Sequence, residues 1–139
     1  MKYWIIVASK DHMQAAKEGS YCQACHGKKW PLAKMSAGDG ILFYSSKEKL
    51  RSNTAYQKFT AIGFVEKGKV SQQTINANFK PYRRKVKFLH CEEVKIHPLL
   101  KKLHFVDNID KWGYKLMNGF LEINKYDFEL IKSNMLTKH

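Results

Sequence analysis

The feature that most limits the fold of this chain is its series of short apolar segments separated by turn signals. Tyr3–Ser9 and Ile41–Ser46 are the strongest of them, and their β-branched and aromatic content is typical of buried strands. The weaker predicted strands are Tyr21–Cys25, Phe59–Glu66, Val70–Gln73, Lys85–Val94 and Phe120–Ile123. We expect Phe59–Glu66 and Val70–Gln73 to pair as a hairpin through Lys67-Gly68-Lys69.

The helices that the sequence predicts are all short. Asp11 is placed to cap a helix that Gly19 ends, and Asn124 to cap a last helix. Pro31–Met35 and His97–Leu103 fit about one to two turns each, and residues 47–55 are expected to form a polar loop. Strands joined without long helices argue against a doubly wound parallel sheet. We predict an α+β fold, a mixed β-barrel with short helices at its rim.

Length and hydropathy place further bounds on the chain. Its 139 residues suit a single domain spanning 1–139. No apolar run approaches the roughly 18 residues of a membrane span. The N-terminus lacks the long apolar segment of a signal peptide. We therefore expect a cytoplasmic protein with no membrane partner.

The formal charge is +13, from 25 basic and 12 acidic residues. The basic residues are spread along the whole chain, so a positive folded surface is expected rather than a basic tail. Such a surface attracts polyanions. Twenty-two of the basic residues are Lys, and a coding bias toward Lys would give the same composition. Charge alone is consistent with DNA or RNA as partner and does not establish it.

The segment Cys22-Gln23-Ala24-Cys25-His26 matches the C-x-x-C-H pattern of covalent haem attachment. A redox dithiol and a zinc site are alternatives, the latter with His90 or Cys91 as a further ligand. The pattern lies in a β-rich chain without an export signal, which disfavours haem. We favour two small residues that line a turn, with no cofactor and no metal, and keep a haem or metal protein as the rival.

The sequence contains no Walker loop, nucleophile elbow, H-E-x-x-H or kinase signature. Glu92 and Glu93 are adjacent on a predicted strand, so their side chains point to opposite faces and do not form an acid–base pair. Acidic residues are scarce, which argues against a two-metal nuclease. We expect a binding protein rather than an enzyme, with a protein–protein adaptor as the third class.

The order of the segments resembles the EVE domain family of the PUA-like superfamily over nearly the whole chain. The resemblance rests on Lys2–Ser9, Gln23–Lys28, Gly38-Asp39, Ile41–Ser45, Phe59–Gly63, Pro81–Arg84, Lys111–Tyr114 and Phe120–Ile123. It implies a PUA-like barrel and kinship with YTH domains, which hold a methylated adenine in an aromatic cage. It also implies recognition of modified or flipped bases, and a defence or restriction effector as a separately encoded partner.

This kinship implies a base pocket that begins at the first strand and its exit. Tyr21 is the first candidate for a cage aromatic, and Ser9 for a hydrogen bond to a base edge. Tyr44 and Ser45 end the second strong strand at the same expected edge, where alternation should point only one of them inward. The full set of predicted base-pocket residues is Trp4, Ser9, Tyr21, Cys22, Gln23, Tyr44, Ser45, Tyr82 and Trp112.

The predicted contacts to the nucleic-acid backbone are His26, Lys28, Arg83 and Arg84. Lys80–Lys87 holds five basic residues and no acid, next to Phe79 and Tyr82. Rings can stack on bases while cations meet phosphates. Two of the three Arg residues lie here although Lys dominates elsewhere, which points to a use for the planar guanidinium.

Overall fold

The computed structural model describes residues 1–49, 51 and 53–136. The strands are β1 (Tyr3–Val7), β2 (Tyr21–Cys22), β3 (Gly40–Lys47), β4 (Ala55–Val65), β5 (Ser71–Gln72), β6 (Tyr82–Phe88), β7 (Val94–Lys95) and β8 (Phe120–Ile123). The helices are α1 (Lys10–Gly19), α2 (Lys29–Ala33) and α3 (Lys125–Met135). Single helical turns occur at Cys25–Gly27, His97–Leu99, Ile109–Lys111 and Lys115–Asn118.

The strands form one mixed sheet in the order β2-β6-β4-β3-β1-β8, with β5 beside β6 and β7 beside β4. β1 and β3 run parallel, with Tyr3 opposite Gly40 and Val7 opposite Tyr44. The other pairings are antiparallel. The β3–β4 register shifts twice, and such irregularities bend a sheet. The sheet curls into a half-barrel with short helices around it, confirming the predicted fold class.

Each face of the sheet buries its own apolar cluster. On one face Ile5 and Leu42 pack with Phe128 and Ile131 of α3. On the other, Ile6, Ile41 and Phe43 pack with residues of α1 and α2. Alternation along β1 and β3 explains the division, because successive side chains point to opposite faces. Burial of each such side chain contributes about 1.5–3 kcal/mol.

Asp39 joins the start of the sheet to the turn before β3. Its carboxylate accepts hydrogen bonds from Lys2 N at 3.0 Å, Trp4 Nε1 at 3.0 Å and Ser36 N at 2.9 Å. Burial acts to raise the pKa of Asp39, but these donors outweigh it, so the pKa lies below its ordinary value. The turn is therefore held by a buried, charged carboxylate.

The last helix begins as the sequence predicted. The Asn124 side chain caps α3 by accepting from Asp127 N at 2.8 Å. The Asp127 carboxylate in turn accepts from His104 N and Phe105 N, at 2.7 and 2.9 Å. Phe128, Ile131 and Met135 form the buried stripe, as expected.

Several expectations about secondary structure were wrong. Asp11 does not cap α1, because the N-cap position is Ser9 and Asp11 lies within the first turn. Phe59–Glu66 and Val70–Gln73 do not pair, because β6 occupies that edge of β4 and β5 pairs with β6 instead. Lys85–Val94 is not one strand, since β6 ends at Phe88 and β7 is separate. His97–Leu103 contains only the short turn His97–Leu99.

The expected polar loop over residues 47–55 lies between β3 and β4. Its residues Leu50 and Ser52 are outside the described part of the chain. Among the residues that are described, no helix has the length and apolar character needed to cross a membrane.

Candidate functional site

A cavity of about 590 Å³ opens where the parallel strands β1 and β3 end. Its volume falls in the range of small-ligand sites. The walls come from the β1 exit, α1, β2 and the turn after it, β3, the segment before β6, and the turn before β8. The lining residues include Ser9, His12, Tyr21, Gln23, Cys25, His26, Phe43, Ser46, Lys47, Phe79, Arg83, Met117 and Asn118.

Tyr21 and Arg83 form a stacked pair within this cavity. The Arg83 guanidinium carbon lies 3.9 Å from the centre of the Tyr21 ring. Arg83 Nε donates to Gln23 Oε1 at 2.9 Å, which fixes the guanidinium plane. The antiparallel pairing of β2 with β6 sets Tyr21 opposite Lys85 and Cys22 opposite Arg84. The side chains of Tyr21, Gln23 and Arg83 thus form a preorganised polar and aromatic wall, which we call the Tyr21–Arg83 platform.

Gly19 allows the Tyr21 ring to take this position. A Cβ atom at residue 19 would lie 2.6 Å from two carbons of that ring. Any larger residue would force the ring to move. The last turn of α1 therefore supports the platform by close backbone approach.

A left-handed turn carries Cys25 and His26 to the cavity rim. Cys25, His26 and Gly27 have φ values of 50°, 63° and 84°. This conformation is uncommon for residues other than glycine and costs about 1–2 kcal/mol per residue. Gly27 N and Lys28 N both donate to Ala24 O, and Cys25 Sγ contacts Asn118 O at 3.6 Å. The strained backbone is thus tied to the opposite wall of the cavity.

The charged groups of the cavity are of one sign. Arg83 and Lys47 line it together with His12 and His26, and none of the described lining residues is Asp or Glu. Phe43, Phe79 and Tyr21 supply aromatic surface. Burial raises the pKa of the Cys25 thiol, and nearby Lys28 only partly offsets this. The cavity therefore suits a ligand that has a planar ring and a negatively charged group next to that ring.

Five predicted site residues meet at this cavity. Ser9, Tyr21, Gln23, His26 and Arg83 all line it. Ser9 Oγ donates to Asp11 Oδ1 at 2.6 Å. Because this bond uses the hydroxyl hydrogen, Ser9 can only accept a hydrogen bond from a ligand.

Four other predicted pocket residues lie in the interior instead. Trp4 and Cys22 are 3% and 0% exposed, in the cluster under α1. Tyr44 is 2% exposed on the opposite face of the sheet, where burial raises its pKa strongly. Ser45 is fully buried and shares a 2.8 Å hydrogen bond with Thr60. We correct these assignments, because none of the four reaches this cavity.

The remaining predicted contacts do not line the cavity. Tyr82 packs at the edge of the core, with Lys29 Nζ 5.8 Å from its ring centre. Trp112 packs edge-on to Tyr44 on the other face, at 6.5 Å. Arg84 donates to Met35 O at 2.7 Å, so it braces the fold. Lys28 is exposed beyond the rim.

The geometry of the C-x-x-C-H segment does not fit the haem or metal alternative. Cys22 points into the core, and burial raises the pKa of its thiol to about 12. Cys25 points into the cavity toward Asn118. Within the described residues no group of three or more His, Cys, Asp or Glu side chains is arranged to hold a metal ion. The two thiols therefore lie in different environments, that of Cys22 in the core and that of Cys25 in the cavity wall.

Several cavity residues were absent from the predicted set, namely His12, Phe43, Ser46, Lys47, Phe79 and Met117. In the sequence, Phe79 directly precedes the basic segment Lys80–Lys87, which contains Arg83. Phe43 reaches the cavity by alternation, since it lies on the same face of the sheet as Ile41. Ser46 lies at the second shift of the β3–β4 register, between Ser45 and Lys47, and local alternation does not predict this shift.

A curled mixed sheet of this order, with a ligand-sized cavity beside its parallel pair, defines a PUA-like domain. The family model of the EVE domain matches residues 2–134. The chain belongs to the EVE domain family, as the order of its segments indicated.

Curated relatives cover almost the full length. The "UPF0310 protein in gntR 5'region" of Bacillus licheniformis is 42% identical over 128 residues, 92% of this chain and 87% of that protein. A "UPF0310 protein" of Mycobacterium avium is 41% identical over 135 residues, 97% of this chain and 98% of that protein.

Solved structures share the fold at low identity. A protein from Leishmania major has a TM-score of 0.60 at 11% identity, covering 95% of this chain and 92% of its own. The MmI1 YTH domain has a TM-score of 0.57 at 11% identity, covering 94% and 92%. At this identity the likeness describes the fold alone.

Proposed function

We propose that this protein binds DNA or RNA and holds one modified or flipped base in the cavity beside the Tyr21–Arg83 platform. The observation that carries the proposal is the platform itself, a ring and a guanidinium stacked in a cavity whose charged lining, among the described residues, is entirely basic. The likeness of its fold to that of a YTH domain supports the same class of ligand. The role is binding, not catalysis.

The platform suggests how a base is held. Bases stack on aromatic rings and on guanidinium planes, and Arg83 presents such a plane backed by Tyr21. Gln23 accepts from Arg83 through Oε1, so its amide nitrogen is the end that can donate to a base edge. Phe79 and Met117, which are 37% and 82% exposed, lie at the cavity mouth and can close over a bound ring.

The expected selectivity for a modified base follows from small contributions to the binding free energy. Burying one added methyl group contributes about 0.8 kcal/mol, and aromatic contact about 0.5–1.5 kcal/mol more. Since 1.4 kcal/mol corresponds to a factor of ten, the cavity should favour the modified base by about ten- to a hundredfold. The net charge of +13 supplies attraction that does not depend on sequence. A separate effector, such as a restriction or defence protein, would act on the bound site.

The test is a titration of the protein with oligonucleotides that differ at one base only. Single strands and duplexes, as DNA and as RNA, carry a methylated, otherwise modified or unmodified base at the centre. We expect one modified base to bind about ten- to a hundredfold more tightly. The preference should persist at two salt concentrations, while the affinity of all oligonucleotides falls with salt.

Two results would count against the proposal in different ways. Equal binding of every oligonucleotide would reduce the protein to a general nucleic-acid binder. An absence of binding to all of them would favour the protein adaptor, and co-purifying nucleic acid should then also be missing from untreated preparations.

A further inference from the structure

A second depression, of about 640 Å³, adjoins the first cavity at Asn118, which lines both. It lies outside β1 and β8, next to α2. Its walls are Lys2, Trp4, Trp30, Lys34, Asn118, Phe120 and Glu122. We call it the Trp30 surface. Because the two depressions share Asn118 as a wall, a strand with a base in the first cavity has this surface within reach.

The Trp30 surface is built on a rigid aromatic base. Trp4 and Phe120 are stacked, with ring centres 4.8 Å apart and planes 10° from parallel. Both are almost fully buried, at 3% and 8% exposed. Trp30 meets Phe120 edge-on, with centres 5.9 Å apart, and 49% of it is exposed. The buried pair therefore holds a large ring at the surface, where the fold gains least from it.

The charges around these rings complement a phosphate chain. Lys34 Nζ lies 5.1 Å from the Trp30 ring centre and Lys2 Nζ lies 5.9 Å from that of Trp4. Glu122 is the one acid among the described lining residues. Exposed indole rings bordered by ammonium groups are suited to stacking a base while the cations meet its phosphates. A protein partner would more often find an apolar patch without this cationic border.

We propose that the Trp30 surface binds an unpaired base that neighbours the recognised nucleotide on the same strand. Trp30 stacks on this base, and Lys2 and Lys34 contact the phosphates between the two nucleotides. The inference rests on the proposed function, because it needs a nucleic acid in the first cavity. It adds a second stacking position and makes the flanking nucleotide part of the recognised ligand.

The experiment is a thermodynamic cycle between Trp30 and the flanking base. The oligonucleotide is a single strand carrying the tightest-binding central base of the titration series. Its neighbours on the 5′ and 3′ sides are replaced in turn by abasic residues, which keep the phosphates and remove the ring. Each ligand is titrated against the wild type, Trp30→Ala and Trp30→Phe. Tyr114→Ala serves as the control, since Tyr114 is 73% exposed and lines neither depression.

One abasic replacement should weaken wild-type binding by about tenfold. Trp30→Ala should weaken binding of the intact strand by a similar factor and show no further loss with that abasic strand. Trp30→Phe should keep part of the dependence, and Tyr114→Ala all of it.

Losses that simply add for Trp30→Ala and the abasic residues on both sides would overturn the inference and leave the proposed function intact. So would full binding of the intact strand by Trp30→Ala. If the wild type binds no oligonucleotide at all, the proposed function fails and this inference fails with it.

Discussion

At the scale of single residues, the platform depends on positions that could be ranked from sequence only in part. Tyr21 and Gln23 were predicted to line the base pocket and Arg83 to contact the nucleic-acid backbone, and the structure brings the three side chains into direct contact. The role of Gly19 was not foreseen, because the approach of its Cα to the Tyr21 ring depends on where β2 meets β6. The sequence shows the residue types, but it does not show to which face of the sheet each side chain points.

Replacing Tyr21 tests whether its ring supports selectivity. Tyr21→Ala removes the backing of the Arg83 plane, so we expect the preference for the modified base to fall by about tenfold. Tyr21→Phe keeps the ring and should keep the preference. The measurement is the ratio of Kd values for modified and unmodified oligonucleotides. A Tyr21→Ala protein with the wild-type ratio would place the selectivity elsewhere.

At the scale of elements, the start of β1 and the turn before β3 are joined by Asp39. The Asp39 carboxylate accepts hydrogen bonds from the backbone N–H groups of Lys2 and Ser36 and from the Trp4 indole. The same contacts hold Trp4 in the core, which explains why that ring does not serve the cavity. Partners this distant along the chain carry no local sequence signal.

The lowered pKa of Asp39 makes its contribution to stability depend on pH. The folded pKa lies below the ordinary 3.8, so the stabilisation is present above pH 3.8 and is lost as the pH falls through the folded pKa. Asp39→Asn should lower the free energy of unfolding by about 2 kcal/mol at pH 7. Its deficit relative to wild type should shrink as the pH is lowered below 3.8, measured by urea unfolding.

The matched control for that prediction is Asp107→Asn. Asp107 pairs with Lys115 at 2.8 Å, but its side chain is 71% exposed. Such a surface pair contributes about 0–1 kcal/mol, so only a small deficit is expected at pH 7. A deficit of Asp39→Asn that stays constant down to acid pH would show that its carboxylate is not held in the charged form.

At the scale of the whole molecule, the sequence predicted the fold more fully than the site. The fold follows from strong strands such as Ile41–Ser46 and from the Asn124 cap, which local chemistry determines. Alternation along β3 places Phe43 on the cavity face and Tyr44 on the other, but at the second register shift with β4 it is Ser46 that lines the cavity, while Ser45 is buried. This shift arises from long-range pairing with β4, so local patterns do not encode it.

The central claim is that a nucleic acid occupies the cavity beside Tyr21. The rate at which Cys25 is alkylated tests this claim in the wild-type protein. Cys25 lines the cavity, whereas Cys91 is partly buried outside its lining and provides an internal reference. Burial raises the pKa of both thiols, so the labelling is run at mildly alkaline pH and followed by mass spectrometry.

With the preferred oligonucleotide at about ten times its Kd, roughly a tenth of the cavities remain empty. We therefore expect the labelling rate of Cys25 to fall by about tenfold while that of Cys91 is unchanged. An unchanged Cys25 rate with the oligonucleotide demonstrably bound would place the nucleic acid elsewhere on the surface and contradict the account.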